Sequence, residues 1–241
     1  MANNYSPPTR STTKVLQQFG THIFYGEGIK TEPQYVKDMK QVLATRYNMT
    51  ASDIIIVDEK SGGRNTLGLV EYAEDDVASR IRKGVKIDHV WIFYDKDSFN
   101  KDDYDNSFHK ITSKNKSKYR NDENDTCDSN GTRWHALWSN ECFELWVLLH
   151  FRYSDAALLR DSYIPCINEI LNQKENGLSY EKNLTNLYQL LEKHGNIKNA
   201  FKWAKKLNDK LPNSKVKDNP STGIYELLDY FDLYLKLDLK V

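Results

Sequence analysis

Three short apolar runs mark the first hundred residues, at 22–25 (HIFY), 53–57 (DIIIV) and 89–94 (HVWIFY), and each is continuous rather than alternating. Unbroken apolar character over so few residues suits a strand covered on both faces, so these runs predict parallel strands of a buried sheet. Between the first two, residues 32–47 place Tyr35, Val36, Met39, Val42 and Leu43 at helical spacing, with Pro33 suited to a first turn. Between the second and third, residues 66–83 carry a weaker stripe of Leu67, Val70, Val77 and Ile81. Strand and helix in alternation, joined by short turns, predict an α/β fold: a parallel-rich sheet with right-handed crossovers, flanked by helices.

Residues 99–132 break the pattern. They contain no Leu or Val, a single Ile, and dense Asp, Asn, Lys and Ser. A short helix is expected over 104–113 and an exposed loop over 121–131. Residues 133–138 then predict a fourth strand, and 140–151 (NECFELWVLLHF) a buried helix capped by Ser139 or Asn140. Beyond 154 no strand is expected. Leu184, Leu187, Tyr188 and Leu191 mark one amphipathic helix ending near Gly195. Ile197, Phe201, Ala204, Leu207 and Leu211 mark another, closed by Pro212, and a last helix is expected over 222–237. The expected organisation is a flexible N-terminal segment over 1–20, an α/β domain over 21–153 with a polar insertion at about 99–132, and a helical C-terminal region over 154–241.

Composition changes this picture little. The 34 Lys plus Arg residues cancel the 34 Asp plus Glu, so bulk charge supplies no affinity for nucleic acid and any such affinity must be local. Cys127, Cys142 and Cys166 lie far apart, without the paired spacing of a zinc site or a disulfide framework, which points to a reduced, cytoplasmic chain. The first twenty residues lack an apolar signal core, and no apolar run approaches ~18 residues, so no membrane association is expected.

Chemistry enters at the ends of the strands. In VWIFYDKDSF (90–99) the apolar run stops at Asp95 and Asp97, and alternate residues of a strand share a face, so both carboxylates are expected to point the same way. In HIFYGEGIKTE (22–32) a strand ends at a glycine-flanked Glu27, with Glu32 opening the next helix. Ligands of such sheets sit beyond the carboxyl ends of the strands, where both segments lie. A few carboxylates plus substrate phosphate are what magnesium uses, and a carboxylate beside a metal-bound water can act as a base. Glu144 adds a charge inside an apolar helix and needs a partner or a metal; Glu141 is three residues away on the same expected face, and Glu144 is favoured although spacing barely separates the two. Salt bridges from Arg133 or Arg152 are the structural alternative for Glu144, and turn or helix capping that for Asp95 and Asp97.

Longer strings carry a resemblance. A strand ending in Glu followed by a strand ending in Asp-x-Asp resembles the Toprim fold of topoisomerases, DnaG-type primases and OLD-family nucleases. YGEGIKTEPQY (25–35), FYDKDSF (93–99), SNECFELWVLLHF (139–151) and NPSTGIYELL (219–228) together resemble the RloB-like family, found in prokaryotes beside restriction and anti-phage loci and often next to an RloA-type ATPase gene. The resemblance covers nearly the whole chain. It implies a Toprim-like sheet and a metal-dependent nuclease of phage defence, using one or two Mg2+ or Mn2+ ions; an endonuclease is favoured, though the sequence does not separate endonucleolytic from exonucleolytic cutting. It implies Glu27 as general acid or base and Asp95 and Asp97 as the metal pair, with Glu32 and Glu144 at acidic positions of the family strings. Glu141-Cys142 departs from the family, where a proline and a small residue are expected after Ser-Asn.

The substrate class stays open between DNA and RNA, tRNA included. Lys30, Lys60, Arg64 and Lys96 lie at strand ends near the acidic residues and are the candidates for phosphate contact, with Ser61-Gly62-Gly63 permitting close approach. Residues 198–217 carry seven lysines against Asp209, a basic helix face or simply a solvated one. Trp134, Trp138, Trp146 and Trp203 are read as core before base-stacking platforms, and His135 and His150 as structural. Two other functions compete: a catalytically silent Toprim module that binds nucleotide or nucleic acid or scaffolds an ATPase, and a haloacid-dehalogenase-type phosphatase, which leaves Glu27 unexplained.

Overall fold

The computed structural model describes residues 20–47, 55–96, 101–116, 118–119, 126–209 and 219–235. A five-stranded sheet runs in the order β2-β1-β3-β6-β7, formed by β1 (His22–Gly26), β2 (Ile55–Val57), β3 (His89–Asp95), β6 (Arg133–Asn140) and β7 (Ser221–Thr222). The first four strands are mutually parallel and β7 is antiparallel to β6. A separate antiparallel pair, β4 (Lys118–Tyr119) and β5 (Thr126–Cys127), lies in the polar insertion.

Both faces of the sheet are covered, which is why its strands read as unbroken apolar runs. On one face Ile23, Tyr25, Val90, Ile92, Tyr94, Ala136 and Trp138 pack under α2 (Thr66–Arg82) and α3 (Lys101–Ser113). On the other, Phe24, Trp91, Phe93 and Leu137 share one cluster with α1 (Thr31–Tyr47), α4 (Glu144–Leu149), α5 (Arg160–Lys174), α6 (Leu187–His194), α7 (Ile197–Asp209) and α8 (Tyr225–Leu235). The helices that follow β6 therefore add to the core of the sheet itself.

Several expectations shift. The helix expected over 104–113 forms as α3, and it adds to the core, since its Tyr104 and Ile111 are buried and Phe108 meets Trp138 edge-on at 5.4 Å. The expected helix over 140–151 shortens to Glu144–Leu149, because Ser139 and Asn140 finish β6 instead of capping; Ser139 pairs with Thr222 and Asn140 with Ser221. That pairing also overturns the expectation of no strand after 154. In α2 the buried stripe is Leu69, Val70, Ala73 and Val77, and Leu67 is only half-buried. Residues 1–19 of the expected N-terminal segment, 121–125 of the expected loop, and Lys210, Lys215 and Lys217 lie outside the described residues, whereas the rest of that loop begins with β5, whose Cys127 is buried.

The strand order has one consequence for function. From β1 the chain crosses to β2 on one side, then returns to β3 on the other, so the topological switch lies between β1 and β3. The crevice beyond the carboxyl ends of these two strands is where such a sheet binds ligands.

Candidate active site

Glu27 stands at that crevice. Its backbone N–H donates to the Phe93 carbonyl at 3.1 Å, which extends the β1–β3 ladder by one residue, and its carbonyl accepts from Gly63 N at 2.9 Å. The preceding Gly26 N donates to Ser61 Oγ at 3.1 Å, so the β2–α2 loop is tied to the end of β1. Thr66, the first residue of α2, donates its hydroxyl to Glu27 Oε2 at 3.2 Å. Burial raises the Glu27 carboxyl to about 7, against opposing hydrogen bonds from Thr66 and the Asp95 backbone.

Glu32 lies in the first turn of α1 and is buried. Gly28 makes room for it: a Cβ on Gly28 would sit 2.0 Å from Glu32 Oε2. Burial raises the Glu32 carboxyl, and the Glu144 charge adds to this, while backbone hydrogen bonds from Glu32 itself and Gly28 oppose it. Asp95 ends β3 opposite Ser139, on the same face of the strand as Trp91 and Phe93. Its side chain is 11% exposed, with Arg160 Nη2 3.9 Å from Oδ2. Burial first, then the charges of Glu32 and Glu144, push the Asp95 carboxyl far above the ordinary carboxylate range, and Arg160 only partly offsets them. Glu144 opens α4 and is buried; its Oε1 accepts from the Tyr180 hydroxyl at 3.0 Å and lies 3.7 Å from Lys182 Nζ. Its partners are thus Tyr180 and Lys182 rather than the Arg133 or Arg152 considered from sequence.

These four carboxylates line one cavity of about 510 Å3, which is also lined by Lys30, Arg64, Asn65, Arg160, Lys182 and Asn183. The site has an acidic floor, three of whose members, Glu27, Glu32 and Asp95, are held toward the protonated state chiefly by burial, and a basic rim.

A family model described as RloB-like protein matches residues 23–231. The chain belongs to the RloB-like family. Searches of curated proteins and of solved structures each gave no significant match.

Of the residues singled out from the sequence, Glu27, Glu32, Asp95, Glu144, Lys30 and Arg64 of this RloB-like chain share the cavity. Glu141 does not: it precedes α4, and its Oε2 accepts from Arg160 N at 3.1 Å, so the structure separates the two glutamates that spacing left together. Lys60 and Lys96 are not among the lining residues; the Lys60 carbonyl accepts from the Arg64 guanidinium, and Lys96 N continues the β3–β6 ladder to the Ser139 carbonyl at 2.9 Å. Asp97 lies outside the described residues. Lys198, Lys202, Lys205 and Lys206 are exposed on α7, away from the cavity lining.

Trp134, Trp138 and Trp146 are buried in the core, and so is His150, which donates from Nδ1 to the Trp146 carbonyl at 2.9 Å and is lowered to about 4 by burial. His135 stacks on Trp91 with ring centroids 3.6 Å apart. Sequence reading missed Arg160, Tyr180 and Lys182, which carry no motif and sit in the segment read as a helical tail; only the packing of that segment onto α1 and the β6–α4 connection brings them to the crevice. Thr31 Oγ1 donates to the Lys182 carbonyl at 2.9 Å, and Gln34 Nε2 to the Thr185 carbonyl at 3.0 Å.

The donors present are hard carboxylate oxygens, with buried negative charge in excess of its nearby cations, which suits Mg2+ or Mn2+ and not a soft metal. Among the described residues no three His, Cys, Asp or Glu side chains converge closely enough to hold an ion as they stand. Magnesium fits such a site because it is usually bound through one or two carboxylates, retained waters and substrate phosphate. No helix among the described residues is long and apolar enough to cross a membrane.

Proposed function

We propose that this RloB-like chain is a divalent-metal-dependent nuclease of Toprim type, cutting phosphodiester bonds of DNA or RNA. The observation that carries the reading is the gathering of Glu27, Glu32, Asp95 and Glu144 in one cavity beyond the carboxyl ends of β1 and β3, beneath a rim of basic side chains. The role in phage defence, with an RloA-type ATPase as partner, rests on the family resemblance and belongs to the same proposal, in which endonucleolytic cutting is the favoured mode.

Asp95 is the first residue to hold Mg2+ or Mn2+, supported by Glu32 and Glu144 and, by the family pattern, by Asp97. When bound, the ion polarises the phosphodiester and lowers the pKa of water in its coordination shell. Glu27, raised to about 7, takes up and releases a proton at its carboxylate oxygens near neutral pH, the property wanted of a general acid or base. Thr66 and the Asp95 backbone orient that carboxylate by hydrogen bonds. Lys30 and Arg64 line the cavity where phosphate oxygens of the flanking strand would pass.

The test is incubation of the purified protein, with and without its ATPase partner, with mixed DNA and RNA in Mg2+, Mn2+ or chelator. Metal-dependent cutting is expected, lost by at least about a hundredfold in Asp95→Ala and Glu27→Gln with far-UV circular dichroism unchanged. If both variants cut like the parent, the site assignment fails. A second reading, a silent module that binds nucleic acid or scaffolds the ATPase, draws support from the lack of three converging metal ligands among the described residues. Stable binding without cutting would identify it, and phosphate release from small monoesters would instead favour a phosphatase.

A further inference from the structure

Two of the four acidic side chains already have cations beside them, and both cations come from chain beyond β6. Arg160 Nη2 lies 3.9 Å from Asp95 Oδ2, and Lys182 Nζ lies 3.7 Å from Glu144 Oε1. The pairs are lopsided: the carboxylates are 11% and 3% exposed, the cationic side chains 39% and 42%. Each base thus reaches from the mouth of the cavity to its floor. Their backbones are pinned, Arg160 N by Glu141 Oε2 and the Lys182 carbonyl by Thr31 Oγ1. Long side chains on fixed backbones can change partner without moving the fold. The separations are at the outer edge of ion pairing, unlike the 2.7 Å contact of Arg80 with Asp76, which has a purely structural place on α2. A divalent cation entering the floor would take these carboxylates with twice the charge, leaving both bases at the mouth, where a strand's phosphates must pass.

We propose that Arg160 and Lys182 are exchangeable counter-ions: they pair with Asp95 and Glu144 in the metal-free protein and transfer to phosphate oxygens of a bound nucleic-acid strand once a divalent cation holds the floor. The inference rests on the nuclease reading for its substrate, a phosphodiester strand, and adds two phosphate-binding residues to it. Arg160 suits the more demanding contact, because its planar fork can engage two phosphate oxygens at once. Lys182 supplies a point charge beside it. Before metal arrives the same two side chains occupy the acids and lower the attraction of the cavity for cations.

The test uses Arg160→Gln and Lys182→Met in the full chain stripped with chelator, with far-UV circular dichroism and a thermal melt to check folding. Calorimetric titration with Mn2+ is expected to give severalfold tighter binding in each variant than in the parent, since an internal competitor is gone. Binding of a short phosphorothioate oligonucleotide in the presence of Mn2+ is expected to weaken, with the dependence of log affinity on log salt shallower by about one phosphate contact per variant. Arg160→Lys keeps the competing charge and should bind Mn2+ like the parent while holding the strand less tightly; it also serves if Arg160→Gln does not fold. Metal affinity unchanged or weaker in both variants, or strand affinity equal to the parent's, overturns the inference. A parent that cuts no nucleic acid, with the metal and strand shifts as expected, would sink the nuclease reading and leave this one standing. A parent that cuts, with variants binding metal and strand like the parent, would do the reverse.

Discussion

Glu27 and Asp95 illustrate how a side chain's neighbours set its chemistry. A carboxyl raised by burial binds its proton more tightly folded than unfolded, so the folded chain holds more protons between the two pKa values and stability falls as pH rises. For Glu27 the window runs from the ordinary 4.5 to about 7, and Asp95 and Glu32 act in the same direction. The metal-free protein is therefore expected to lose stability as pH increases from about 4.5 to about 7. Glu27→Gln should flatten that slope and stabilise the neutral-pH protein by up to about 3 kcal/mol, as measured by denaturant melts in chelator across that range. A slope identical to the parent's would mean that Glu27 is not the buried acid described. The acids themselves were legible in the sequence because each follows a strand at a glycine or at the end of an apolar run. The cation beside Asp95 was not, because Arg160 has no local context that distinguishes it from other arginines of the chain.

The elements divide in the same way. The strands β1 and β3 and the helix α1 follow from local pattern, since an apolar run or a stripe at 3.6-residue spacing needs no knowledge of partners. The β6–α4 junction does not: Ser139 and Asn140 are cap-forming residue types, and only their pairing with Thr222 and Ser221 makes them the end of the strand instead of the start of the helix. The two-residue β7 is still less visible, since it exists by pairing with Ser139 and Asn140. Gly223 follows it, donating its N–H to the Trp138 carbonyl at 2.9 Å, and a Cβ there would stand 2.4 Å from the Trp138 ring. Trp138 has little room to yield, with Phe108 edge-on to it and its Nε1 donating to Ser221 Oγ at 3.3 Å. Gly223→Ala is expected to cost about 1–3 kcal/mol by overpacking, read as a lower denaturant midpoint. An unchanged midpoint would show that β7 does not press on β6 as described.

Across the molecule, the residues after β6 do more than extend the sheet domain. Tyr163, Ile167, Leu171, Leu191, Phe201, Leu228 and Phe231 belong to the same buried cluster as Phe24, Trp91 and Phe93. Removing residues 154–241 would strip the apolar cover from one face of the sheet and delete β7, Tyr180, Arg160 and Lys182 together. The truncated chain is expected to show no cooperative thermal transition and to aggregate, and a sharp melt by circular dichroism would instead make 21–153 a self-sufficient unit. The α/β class, the parallel strands and the acidic ends of β1 and β3 follow from sequence because each is written in residues close together along the chain. The partners of Glu141 and Glu144, the fifth strand, and the place of Arg160 and Lys182 in the cavity follow only from the folded chain. They depend on which distant segments meet, and that is decided by the packing of α5 to α8 against one face of the sheet rather than by any pattern within those helices.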